Sequence, residues 1–246
     1  MKPWIRNTLL VFGVVLLTLG SVLLIVSRPF PALETAKTAL KPDGKITVEN
    51  NDAVLRFTPA QPNGKGLIFY QGARVTAEAY AAPLRAIAEA GYTVVAPKMP
   101  LNFAVFNQNA ADAIISAQPN LEWAIAGHSL GGAMACSYAK NSGRIKKLIF
   151  WAAYCDKSFD LSSSQVSVTS IFGSRDGLAT PQKIEATKIF APTNARYIEI
   201  AGMNHAQFGD YGEQGGDTRA EVSNEEATKK LIRATLEALA WQPSRD

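Results

Sequence analysis

The chain has only two histidines, His128 and His205. One of them is placed to serve as a base for a serine with the right surroundings. Gly127-His128-Ser129-Leu130-Gly131 follows the apolar run Leu121–Ala126 and precedes the helix-forming stretch AMACSYAK. A serine in a G-x-S-x-G turn between strand and helix is held in a strained backbone and lifted above the sheet. The amide hydrogens of the new helix face it and favour negative charge. The chemistry this suits is nucleophilic attack on a carbonyl, with the Leu130 N–H donating to the oxyanion. A glycine-rich turn with a capping serine is the plainer alternative.

Such a serine needs a base. His128 sits inside the turn and is expected to diverge from the serine, which leaves His205 in the loop GMNHAQFGDYG. The acid that would fix its tautomer is Asp176, in GSRDGLAT. Ser129, Asp176 and His205 then fall in the chain order Ser, acid, His. Asp156 and Asp160, after the preceding strand, are rivals for the acid. Asp210 and Asp217 lie too near His205 in sequence to be preferred. The second oxyanion donor is expected from Gln71-Gly72-Ala73-Arg74, with Ala73 first and Gly72 next.

These residues need elements to hold them. Ile46–Asn50 and Val54–Pro59 alternate and read as an edge hairpin. Gly66–Gly72, Thr93–Pro97, Leu121–Ala126, Lys147–Ala153, Val166–Phe172 and Ala195–Ala201 read as strands. Helical patterns cover Ala77–Ala90, Asn107–Ala117, Ser129–Lys140, Pro181–Phe190 and Asn224–Leu239. Strands that are apolar throughout and alternate with helices predict an α/β fold, a mostly parallel central sheet with helices on both faces. The interval from Ser129 to Asp176 is too short for a large cap domain. An open site is expected, with Leu101–Phe106 as an apolar lip beside the Tyr211 loop; ordinary core packing of LNFAVF is the alternative.

GHSLGG, GSRDGLAT and NHAQFGDYG, in this order, resemble α/β-hydrolase fold proteins. The compact alpha/beta hydrolase fold-5 type is similar at FYQGARVTAEAYAAPLRAIAEAGYTVVAPKMPLNFAVF and at GDYGEQGGD, over about residues 45–240. One departure is Ala73, where a glycine is more usual. The resemblance implies the α/β-hydrolase fold, hydrolase chemistry with no metal and no cofactor, and often an N-terminal membrane segment. It implies no particular substrate.

Thr8 to Ser27 carries no charge and at about 1.5 Å per residue is long enough for a hydrocarbon core of about 30 Å. Lys2 and Arg6 precede it, and the bulky LLIVSRPFPA that ends it lacks a small-x-small cleavage site. An uncleaved anchor is therefore expected over residues 1–28, a cleavable signal peptide being the alternative. A tether would span 29–45 and a catalytic domain 46–246, facing outward from the cell membrane.

Without Lys2, Arg6 and Arg28 the net charge of +4 falls to about +1. No basic stripe suggests a nucleic-acid partner. Cys136 and Cys155 form no CxxC pair and read as two buried thiols, with a single bridge as the lesser alternative. The function expected is hydrolysis of a small-molecule ester or thioester through an acyl-enzyme. An acyltransferase with the same triad, and a membrane-anchored binding protein that keeps the fold, are the alternatives.

Overall fold

The computed structural model describes residues 2–26 and 28–241, without the side chains of residues 9, 19 and 22–26. The described residues form one eight-stranded sheet in the order β1-β2-β4-β3-β5-β6-β7-β8. The strands are β1 (Ile46–Asn50), β2 (Val54–Pro59), β3 (Lys65–Tyr70), β4 (Thr93–Pro97), β5 (Glu122–His128), β6 (Lys147–Trp151), β7 (Ser167–Gly173) and β8 (Arg196–Ile200). β1 and β2 pair antiparallel, as does β2 with β4. From β4 to β8 all pairing is parallel. This is the α/β fold, with the edge hairpin, that the sequence predicts.

The period-2 alternation of the strands divides the core in two. On one face Leu67, Phe69, Ala126, Ile149 and Trp151 pack under α3 (Ala81–Glu89) and α7 (Asn224–Ala240). On the other, Ile68, Tyr70, Ile125, Leu148 and Phe150 pack under α4 (Ala110–Ala117) and α5 (Leu130–Ser142). Trp151 reaches across to α7, where its indole N–H donates to Thr235 Oγ1 at 3.0 Å in the buried core. Two predicted helices are subdivided. Residues 77–80 and 188–190 are 3-10 turns, flanking α3 and α6 (Pro181–Thr187) respectively.

Two regions differ from their sequence reading. Cys136 on α5 and Cys155 after β6 form a disulfide, which corrects the expectation of two free thiols. Both are buried in the same core, and a 19-residue separation gave no local pattern to announce the pair. Residues 29–45, read as a tether, carry a short helix, α2 (Glu34–Thr38), with Ala36 fully buried. Phe30 pairs in parallel with Val75, and the Leu33 N–H donates to the Asp210 carbonyl at 2.9 Å.

N-terminal to this strap, α1 spans Pro3–Val26. Most of its described apolar side chains, Trp4 and Phe12 among them, are exposed. Among the described residues no helix is long and apolar enough to cross a membrane. Part of the predicted span, namely residue 27 and the side chains of 9, 19 and 22–26, lies outside them.

Candidate active site

Ser129 stands between β5 and α5 with φ 52° and ψ −124°, a conformation that few residues other than glycine adopt. Its amide donates to the Trp151 carbonyl at 3.0 Å, which fixes the turn to the neighbouring strand. The surrounding glycines allow it. A Cβ on Gly131 would collide with the carbonyls of Tyr70 and Gln71, and one on Gly132 with Ala153. The first turn of α5 therefore rests directly on the end of β3, and Ser129 is left half-buried at the C-terminal edge of the sheet.

His205 and Asp176 meet in the loops that follow β8 and β7. His205 Nδ1 lies 2.8 Å from Asp176 Oδ2, and both side chains are buried. The other carboxylate oxygen accepts the amides of Leu178 at 2.8 Å and Ala179 at 2.7 Å. With Oδ1 taken by these two N–H groups, Oδ2 is left to accept from His205 Nδ1–H, and Nε2 is the ring nitrogen left over. That Nε2 is buried without a hydrogen-bond partner among the described residues. No hydrogen bond joins it to Ser129 Oγ in this structure; catalytic contacts of this kind are often loose without substrate. The rival acids are engaged elsewhere. Asp156 caps a 3-10 turn at Ser158 and Phe159, and Asp160 accepts the Ser162 amide.

The two expected oxyanion donors, the amides of Leu130 and Ala73, have no hydrogen-bond partner among the described residues. Gly72 is not equivalent to Ala73, because its N–H donates to Tyr80 Oη at 3.0 Å. Tyr80 Oη in turn lies 2.8 Å from His128 Nδ1. Burial, and then the neighbouring His205, push the His128 pKa well below its ordinary value, so the ring is neutral. Burial also raises the Tyr80 pKa. The protonated Tyr80 hydroxyl therefore donates to His128 Nδ1, and the His128 proton is on Nε2. A Cβ on Gly72 would stand 2.7 Å from that imidazole nitrogen, which explains the glycine. His128 lies beside the base candidate His205. Its ring centroid is 4.6 Å from that of His205, and Phe208 stacks on it at 5.5 Å.

Asp217 is the site residue that sequence reasoning missed. Its Oδ1 accepts the Gly177 amide at 2.9 Å, and its Oδ2 accepts the Ala206 amide at 2.9 Å. Gly177 adjoins Asp176 and Ala206 adjoins His205, so one carboxylate ties together the loops of Asp176 and His205. The Thr218 hydroxyl adds a bond to the Arg175 carbonyl. Asp210, at the other end of the same loop, accepts the Ala36 amide at 2.8 Å. The run of acidic residues and glycines after His205 was the available signal, but backbone partners leave no side-chain pattern to read. Among the described residues no cluster of three or more His, Cys, Asp or Glu could hold a metal ion.

A strained serine stands at the C-terminal edge of a mostly parallel sheet, and the loops after β7 and β8 bring together a buried Asp–His pair. The chain belongs to the Alpha/beta hydrolase family, whose sequence profile matches residues 66–229. No curated protein matches it. Among solved structures, TT1662 from Thermus thermophilus is similar with a TM-score of 0.58 and 15% identity, over 80% of this chain and 100% of that one. The esterase domain of a Rhodothermus marinus protein gives 0.59 and 16%, over 80% and 98%. Est1E from Butyrivibrio proteoclasticus gives 0.56 and 14%, over 80% and 100%. At these identities the likeness concerns the fold.

Proposed function

We propose that the protein is a serine hydrolase of carboxylic esters or thioesters. The observation that carries this is the buried 2.8 Å contact between His205 and Asp176, with His205 Nε2 unpartnered among the described residues, together with the strained Ser129. In the mechanism, Ser129 Oγ attacks the substrate carbonyl as its proton passes to His205 Nε2. The Oγ–C bond forms and the carbonyl oxygen takes up the negative charge, facing the Leu130 and Ala73 amides. Asp176 holds the imidazolium that results. The imidazolium then protonates the leaving alcohol or thiol, and an acyl-enzyme remains. Water, deprotonated by His205, attacks the acyl carbon, releases the acid and returns the proton to Ser129.

We further propose that α1 anchors the protein in a membrane with the catalytic domain on the extracytoplasmic side. The Cys136–Cys155 disulfide supports that reading, because such bonds persist in oxidising compartments.

Hydrolysis of 4-nitrophenyl butyrate by the full-length protein tests the chemistry. Ser129→Ala should lower kcat by at least about 10³-fold and abolish labelling by a fluorophosphonate probe. Equal rates for the two proteins would sink the assignment. Release of butyrate esters of an added alcohol, in place of butyrate, would show an acyltransferase instead.

A further inference from the structure

Two apolar parts of the chain converge on one residue at the mouth of the site. Arg74 immediately follows the oxyanion donor Ala73, and it has the left-handed φ of 66°. Its amide donates to the Asn102 carbonyl at 2.8 Å, and Gln71 Nε2 donates to Asn102 Oδ1 at 3.2 Å. Leu101 and Asn102 are themselves left-handed, at φ 52° and 59°. Strain of this kind persists only where surrounding bonds impose it. The buried Ala104 roots the loop, and Leu101, Val105 and Phe106 project from it with relative exposures of 67%, 42% and 61%. The loop holds apolar side chains out into solvent at the edge where Ser129 lies.

The other side of Arg74 holds the strap. Its carbonyl accepts the Phe30 amide at 2.6 Å, and the Phe30 carbonyl accepts the Thr76 amide at 3.1 Å. Its Nε donates to the Arg28 carbonyl at 3.0 Å, and its guanidinium lies 4.8 Å from the centre of the Phe30 ring. Phe30 also packs on Tyr211 at 5.7 Å, and Asp210 grips α2. The strap is thus fixed to both loops of the site. α1 ends at Val26, and four residues span at most about 14 Å. The C-terminal end of α1 therefore stays near Phe30, which Arg74 joins to the exposed lip.

We propose that Leu101, Val105 and Phe106 dock on a lipid surface, and that the substrate is an ester whose acyl chain lies in that surface. The proposal rests on the hydrolase and anchor readings above and adds the partner of the lip. A small polar ester needs no such rim, whereas an acyl chain drawn from a bilayer would pass from lipid to Ser129 along apolar side chains without entering water.

Lipid contact can be read without turnover. Full-length protein carrying Phe106→Cys, labelled with bimane, is reconstituted in phosphatidylcholine vesicles with and without brominated acyl chains. Cys136 and Cys155 are paired and take no label. Bromination should quench the label at least about twofold, as for a side chain inserted at the acyl boundary. A label at Lys146→Cys, exposed at the opposite edge of the sheet, should be unaffected. Equal quenching at both positions, or none at 106, would overturn the proposal. A signal that follows protein concentration and ignores bromination would assign the lip to a second copy of the chain, and would overturn it too.

Activity supplies a second readout. In the Leu101→Ser/Phe106→Ser protein, the rate on a vesicle-borne oleate ester relative to that on a soluble acetate ester should fall about tenfold. An unchanged ratio counts against the lipid surface. Failure of Ser129→Ala to lower either rate counts against the hydrolase reading alone, because the quenching does not depend on it.

Discussion

The turn that carries Ser129 and the loop that carries His205 are held by opposite means. Around the serine, order comes from missing side chains: Gly127, Gly131 and Gly132 let strand and helix backbones touch. Around the histidine, order comes from carboxylates that collect backbone amides, Asp176 at Leu178 and Ala179 and Asp217 at Gly177 and Ala206. The first region cannot accept an added atom. The second cannot lose an acceptor. A packed turn is specified by local composition, whereas a loop held by side chain–backbone bonds is specified by partners far away in the chain.

The largest effect expected from this contrast is at Gly131. Gly131→Ala places a methyl group against two carbonyls at the end of β3, which cannot yield without moving the strand. It should cost about 3 kcal/mol or more of stability and abolish activity, as followed by urea unfolding and fluorophosphonate labelling. A fully active, equally stable variant would show that the turn is not held by close packing.

Asp217→Asn should act next, and differently. The amide keeps one acceptor but turns an NH₂ toward one of the two loops. Misplacement of acid and base by a fraction of an ångström should lower kcat about 10- to 100-fold, with KM and thermal midpoint nearly unchanged. Steady-state kinetics beside a melting curve checks this. A fall in stability with kcat intact would make Asp217 an ordinary turn residue.

The smallest effect concerns His128, which belongs to both regions. Its pKa is depressed in the folded protein, chiefly by burial, from an ordinary 6.5. The unfolded chain therefore binds the proton first as pH falls. The stability from the neutral ring is fully present above about pH 6.5 and is lost below it, at up to about 1.4 kcal/mol per pH unit. His128→Gln should flatten that part of the acid slope in urea midpoints measured between pH 7.5 and 5.5. An unchanged slope would mean that the ring is not held neutral.

The same contrast explains what could be read from the sequence. The sheet, its edge hairpin and the Ser129 turn were legible because their causes are local: apolar runs, the spacing of glycines, and a strand placed before a helix. Asp176 was legible as a turn residue in the expected loop. Asp217 was not, because its partners are the amides of residues 177 and 206 and any residue type could supply them. Nor was the strap. Its residues ETAKT look like a polar linker, and the helix they form is held by Asp210, 174 positions away from Ala36. The Cys136–Cys155 bond was weighed but not favoured, since two cysteines alone do not announce a pair.

The chain order of the site has a consequence for biosynthesis. During synthesis the Ser129 turn and the cysteines Cys136 and Cys155 emerge first, and the centre of the sheet can form around them. Asp176 and His205 follow, and Asp217, which holds their loops together, comes last of the four. A nascent chain therefore carries Ser129 without the His205–Asp176 pair through most of its synthesis. The site is complete only when the final segment, with α7, packs on β6 and β7.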